Sequence, residues 1–157
     1  MRFIVLIMLL GIFCNYSQGS EKLMYNETIS QKIFVDWESN RIGLPGARKY
    51  SFCFFIKGSE LDLQRLNKLL SFSLPDEDVI DVYVFFQEGI RPSHMSFVEN
   101  WDFNFISVEK NRVENKEFFS KVCGTCFSML VLEGNRVKFF HSGFGLHYFS
   151  EVIQNLK

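Results

Sequence analysis

Residues Tyr50 to Ile56 read YSFCFFI, a run with no charged side chain and no alternation of polar with apolar positions. A strand with one wet face alternates, so an unbroken run of this kind must be covered on both faces. A second run, Val79 to Phe86, makes the same demand and is interrupted only by Asp81. Between the two, Leu63, Leu66, Leu69 and Leu70 recur at helical spacing behind a Ser59/Asp62 cap signature, and Pro75 closes the segment. Two doubly buried strands joined by a helix predict a right-handed parallel βαβ unit, because an antiparallel pair needs no intervening helix.

The rest of the chain extends that unit. Pro92 suits the first turn of a short helix that carries Met95, Val98 and Trp101 inward. Phe103 to Val108 alternates and predicts a strand nearer a sheet edge. Asn111 with Glu114 signals another helix start, with Phe118, Phe119 and Val122 as its apolar face. Phe127 to Leu132 and Arg136 to His141 flank Gly134-Asn135, a two-residue turn suited to a tight hairpin. After Gly143 and Gly145, the positions Leu146, Phe149, Val152, Ile153 and Leu156 form one helical stripe. The expected order is β-α-β-(α-β)-α-β-β-α.

Nineteen phenylalanines among 157 residues exclude a disordered chain, and a formal net charge of −1 without a basic tract gives nucleic acid nothing to hold. Arg2 precedes an apolar run from Phe3 to Phe13, and a bilayer span needs about 20 apolar residues, so the run is too short for a mature anchor. Ser17 and Gly19 sit where signal peptidase would cut before Ser20. Residues 1–19 are therefore expected to be a signal peptide, 20–48 an N-terminal extension with one strand, and 49–157 the main domain. An alternative makes Cys14 the acylated cysteine of a lipoprotein, although Phe13 is larger than the residue such a site prefers. Both readings place the protein in the periplasm or cell envelope, touching membrane only through an N-terminal anchor.

The tail FSMLVLEGNRVKFFHSGFG, Phe127 to Gly145, resembles the strand–turn–strand–glycine unit of the thioredoxin-like superfamily. Lys49 to Leu66, KYSFCFFIKGSELDLQRL, is similar to the strand and helix that flank its redox motif, and Trp37 to Pro45, WESNRIGLP, resembles the lead-in of small exported members. The resemblance implies an α/β fold. Its parts are a mixed central sheet flanked by helices, an αβ insertion as in peroxiredoxins and periplasmic thiol–disulfide reductases, and a C-terminal ββα unit.

The departures bear on function. In the family a CxxC dithiol lies where the first buried strand meets its helix, whose N-terminus stabilises the attacking thiolate. Here that junction reads Ile56-Lys57-Gly58-Ser59-Glu60-Leu61-Asp62-Leu63, without sulfur. The position of the family's cis-proline aligns with Cys126, within Cys123-Gly124-Thr125-Cys126. Three cysteines remain after the leader, Cys53, Cys123 and Cys126. The pair Cys123/Cys126 is the candidate catalytic site if the chain is a thiol–disulfide oxidoreductase with a displaced dithiol; a structural disulfide and incidental thiols stay open. The other reading is a redox-degenerate module that binds a protein partner of the cell envelope. A peroxidase of the peroxiredoxin type would need a Thr- and Pro-flanked cysteine near the first helix, which the sequence lacks.

No cofactor is expected, and His141 and His147 do not complete a metal-ligand spacing with the cysteines. Cys53, between Phe52 and Phe54, reads as core, Asp81 as a satisfied strand carboxylate, and Trp37 and Trp101 as packing residues. His94 has no recognisable partner in the sequence. Phe139, Phe140, Phe144 and Tyr148 are candidates for an exposed apolar patch.

Overall fold

The computed structural model describes residues 25–71, 77–94, 103–123, 127–143 and 146–156. Its strands are β1 (Lys32–Val35), β2 (Arg41–Leu44), β3 (Tyr50–Ile56), β4 (Ile80–Phe86), β5 (Asn104–Ser107), β6 (Ser128–Glu133) and β7 (Arg136–Ser142). Its helices include α1 (Glu60–Leu70), α2 (Val108–Asn111), α3 (Lys116–Val122) and α4 (Leu146–Asn155), and residues 92–94 are helical from Pro92 as expected. One sheet runs β5-β4-β3-β6-β7, and β1-β2 form a separate antiparallel pair.

The βαβ expectation is met. β3 and β4 are parallel, registering Tyr50 on Ile80 and Ile56 on Phe86, with α1 between them in the chain. β5 adds in parallel outside β4 at the sheet edge, and β6 and β7 are antiparallel additions on the other side. The central sheet is therefore mixed, with an αβ insertion and a closing ββα unit.

Every residue of β3 is buried. Phe52, Phe54 and Ile56 pack with Leu63, Leu66 and Leu69 of α1 and with Phe149, Val152 and Ile153 of α4. Cys53 and Phe55 face the other way, toward Phe118, Phe119 and Val122 of α3. Phenylalanines fill both faces, and on this second face the Phe85 ring stacks on Phe55 at 4.7 Å and meets Phe34 edge-on at 5.1 Å. Leu70 lies outside the described side chains, and Pro75, Met95, Val98 and Trp101 lie outside the described residues.

The N-terminal stretch differs from expectation. It holds two strands rather than one, and Phe34 and Leu44 are completely buried in the same cluster as Phe85. A lone hairpin is marginal in water. Burying each of these side chains contributes roughly 1.5–3 kcal/mol, enough to hold the hairpin to the domain. The sequence does not signal the second strand because the turn between the two is built by side chains: the Asp36 carboxylate accepts from the Asn40 backbone N–H at 2.7 Å, and Ser39 adopts φ 71°. Trp37 is also more exposed than a packing residue, at 37 %; the anchor there is its backbone N–H, donated to the Phe105 carbonyl at 2.9 Å.

Asn111 does not start a helix. It ends α2, and α3 begins after Asn115. Asn111 is buried and grips β1 as a neighbouring strand would: its Oδ1 accepts from Val35 N–H at 2.7 Å, and its Nδ2 donates to the Val35 carbonyl at 2.9 Å. The Asn115 amide donates to the Ile33 carbonyl at 3.1 Å. Two side chains one helical turn apart thus satisfy backbone groups on the outer edge of β1. Replacing Asn111 by Leu strands both polar groups of Val35 at about 1–3 kcal/mol each. We expect urea unfolding of Asn111→Leu to show a loss of roughly 2–6 kcal/mol; stability equal to that of the parent would refute the clasp.

Candidate functional site

The end of β3 hands the chain to α1 through Lys57, Gly58 and Ser59. Ser59 is the N-cap, extended at φ −66° and ψ 156°, and its Oγ accepts from the Asp62 backbone N–H at 3.2 Å. The expected capping box would send the Asp62 carboxylate back to Ser59 N–H. It reaches further, and its Oδ2 accepts from Lys57 N–H at 3.2 Å. Asp62 is 9 % exposed, and with Glu60 it gives the first turn of α1 two acidic residues. The positive end of the helix dipole is therefore already matched by the chain's own anions.

His94, which the sequence left without a role, belongs to this place. It is 5 % exposed, and its ring stacks on Phe86 with centroids 5.3 Å apart. Its Nδ1 accepts from the Arg91 backbone N–H at 3.2 Å. A Cβ built on Gly58, which has φ 94°, would stand 2.9 Å from His94 Cε1, so the ring and the loop close on each other only with glycine there. Burial pushes the His94 pKa down and the Arg91 charge adds to that, against a smaller pull upward from a hydrogen bond to the Gly58 backbone. Periodicity does not announce His94, because its partners besides the Phe86 ring are a backbone N–H and a glycine.

Cys123 lies elsewhere. It closes α3 as the C-cap and packs against the Phe55 and Phe85 face of the sheet, opposite the face that α1 covers. Burial pushes its thiol up to about 12, only partly offset by Arg112. A reactive thiolate needs the reverse environment. Cys126 lies outside the described residues. Cys53 is completely buried, and desolvation drives its thiol well above the ordinary value.

Asp81 is held as a structural carboxylate: its Oδ2 accepts from Arg48 N–H at 2.9 Å, and its Oδ1 is 3.7 Å from Arg48 Nε. Phe139 and Phe140 do not form one patch. Adjacent strand positions point to opposite faces, and the two rings pack on the two different cores. Phe144 lies outside the described residues, and the side chains of His147 and Tyr148 outside the described side chains. His141 lies on β7, opposite Met129, its ring stacked on Phe139 at 6.4 Å. Among the described residues, no group of three or more His, Cys, Asp or Glu is placed to hold a metal ion, and no helix is long and apolar enough to cross a membrane.

Several solved structures share this arrangement. A domain of a possible thiol–disulfide isomerase from Cytophaga hutchinsonii superposes with a TM-score of 0.64 at 18 % identity, covering 86 % of this chain and 94 % of that one. The thiol peroxidase from Chromobacterium violaceum gives 0.64 at 10 % identity over 87 % and 89 % of the two chains. The fold is thioredoxin-like. A peroxiredoxin-like protein from Aquifex aeolicus agrees, with a TM-score of 0.60 at 12 % identity and 87 % of each chain covered. No protein-family model and no curated protein matches the chain.

Within that thioredoxin-like frame, Ser59 and Asp62 stand three residues apart at the head of α1, the spacing of a CxxC pair. Peptide mapping after alkylation at pH 8 tests the environment of Cys123. A thiol at about 12 holds roughly a thousandth of the thiolate of an ordinary cysteine at that pH, so modification should be at least a hundredfold slower than in a urea-unfolded control. Equal rates would overturn the assignment.

Proposed function

We propose that this protein is an exported binding or accessory module of the cell envelope that uses a thioredoxin-like scaffold without dithiol chemistry. The single observation that carries the reading is the head of α1, where Ser59 caps the helix and the Asp62 carboxylate occupies the Lys57 N–H. Thiol–disulfide exchange needs a thiolate to attack a disulfide sulfur, and the described residues at the head of α1 carry neither sulfur nor an unmatched positive field to stabilise one. The isomerase and peroxidase names of the structural neighbours describe chemistry that begins with such a thiolate.

Retention of the scaffold points to recognition. Leu61, on the outer side of the first turn of α1, is 54 % exposed beside the polar Ser59 and Glu60, which suits contact with a protein surface. The short apolar leader and its small-residue exit support export, and the partner is accordingly sought among proteins of the cell envelope.

A displaced dithiol at Cys123 and Cys126 is the rival reading, and one assay separates the two. Reduction of insulin by the purified protein should stay at background, and Ser59→Cys combined with Asp62→Cys should raise it, since the helix end then carries the pair it lacks. Turnover by the parent protein that disappears in Cys123→Ser would establish the oxidoreductase instead.

A further inference from the structure

We propose that the His94 ring is a proton-operated latch between the segment leaving β4 and the lead into α1, closed when the imidazole is neutral and released when it is protonated. The latch concerns how that end of the sheet stays shut, whatever docks there.

Three contacts meet at the ring. It lies flat on Phe86 at the end of β4, its Nδ1 receives the Arg91 N–H, and its edge rests against Gly58 ahead of α1. A neutral imidazole can accept at Nδ1, whereas an imidazolium carries hydrogen on both nitrogens and can only donate. Proton uptake therefore turns the Arg91 contact from a hydrogen bond into two opposed N–H groups, with Arg91 losing its acceptor. The ring is 5 % exposed, so the new charge is not freely solvated while the contact stays closed.

Among the described residues no surrounding charge rescues it, and the hydrogen bond to the Gly58 backbone offsets only a smaller part. On its own segment the nearest is Arg91, whose guanidinium lies 3.8 Å from the Glu88 carboxylate. From the α1 side come Lys57 and Asp62, and the Asp62 Oδ2 is already taken by Lys57 N–H. β4 offers the Phe86 ring, which stacks on the imidazole.

The sign follows from the neutral form being favoured in the folded state. Its pKa there lies below the ordinary histidine value of about 6.5. The contribution of the closed latch is complete above that ordinary value. It is lost as pH falls from there to the folded-state pKa, and falls no further below it.

Amide hydrogen exchange of the full chain between pH 7.5 and pH 5, corrected for intrinsic exchange, reads the latch at the Arg91 and Lys57 N–H groups. Within the window their protection should fall by up to about tenfold per pH unit, as one proton is taken up on opening. His94→Phe keeps a ring for Phe86 but cannot take a proton, and should show a flat profile. Asp62→Asn alters the acceptor of the Lys57 N–H and should keep the parent's pH response at the Arg91 N–H, which His94 holds. A flat profile in the parent, the same fall in His94→Phe, or loss of the fall in Asp62→Asn would each overturn the latch. If His94→Phe does not fold, the His94 Cε1–H chemical shift of the parent must move over the same pH range as the protection does. Divergence of the two curves refutes the proposal.

Discussion

The structure depends on a central strand that has no solvent face. β3 is paired on both edges, parallel to β4 and antiparallel to β6, and covered above and below. A strand in that position cannot slip by one residue without driving Cys53 and Phe55 into the space of Phe52 and Phe54, so its register fixes the rest of the sheet. α1 and α4 are then bound to one side by their leucine, valine and phenylalanine stripes. The other side is closed by rings, with Phe85 in contact with Phe34, Phe55, Phe118 and Phe119.

Elements with a strong hydrophobic pattern are legible in the sequence. β3, α1, β4 and the β6–β7 hairpin are long enough for a hydrophobic pattern to declare itself, and the edge position of β5 was visible in its alternation. What the pattern could not express was pairing by side chains. β1 and β2 are four residues each, joined by an Asp36-built turn and clasped by asparagines from distant helices. Asn111 carries a residue type that signals a helix start, yet burial made it a strand substitute. His94 shows the same limit at the site, since beyond the Phe86 ring its contacts are to a backbone N–H and to the one residue type without a side chain.

The head of α1 illustrates how a scaffold can stay while its chemistry changes. In a thioredoxin-like frame the helix end acts on function by favouring negative charge on sulfur. Here the same field is answered by Asp62, held 9 % exposed by its bond to Lys57 N–H, and by the Ser59 cap. The absence of cysteine at that junction was plain in the sequence. The capture of the Lys57 amide was not, because a capping box and this longer reach share one residue pattern. Cys123 meanwhile sits behind the other face of the sheet, where burial favours the protonated thiol.

The asparagine clasp also has a practical consequence for anyone trimming the chain. A boundary drawn just before Tyr50 would look natural, because the strongest pattern begins there. Such a fragment would lose Phe34 and Leu44 from its interior and leave the Asn111 and Asn115 amides turned toward an empty groove. Fusion proteins and minimal fragments should therefore start upstream of Asn26, since residues 26–29 also pair with the β7 end of the hairpin.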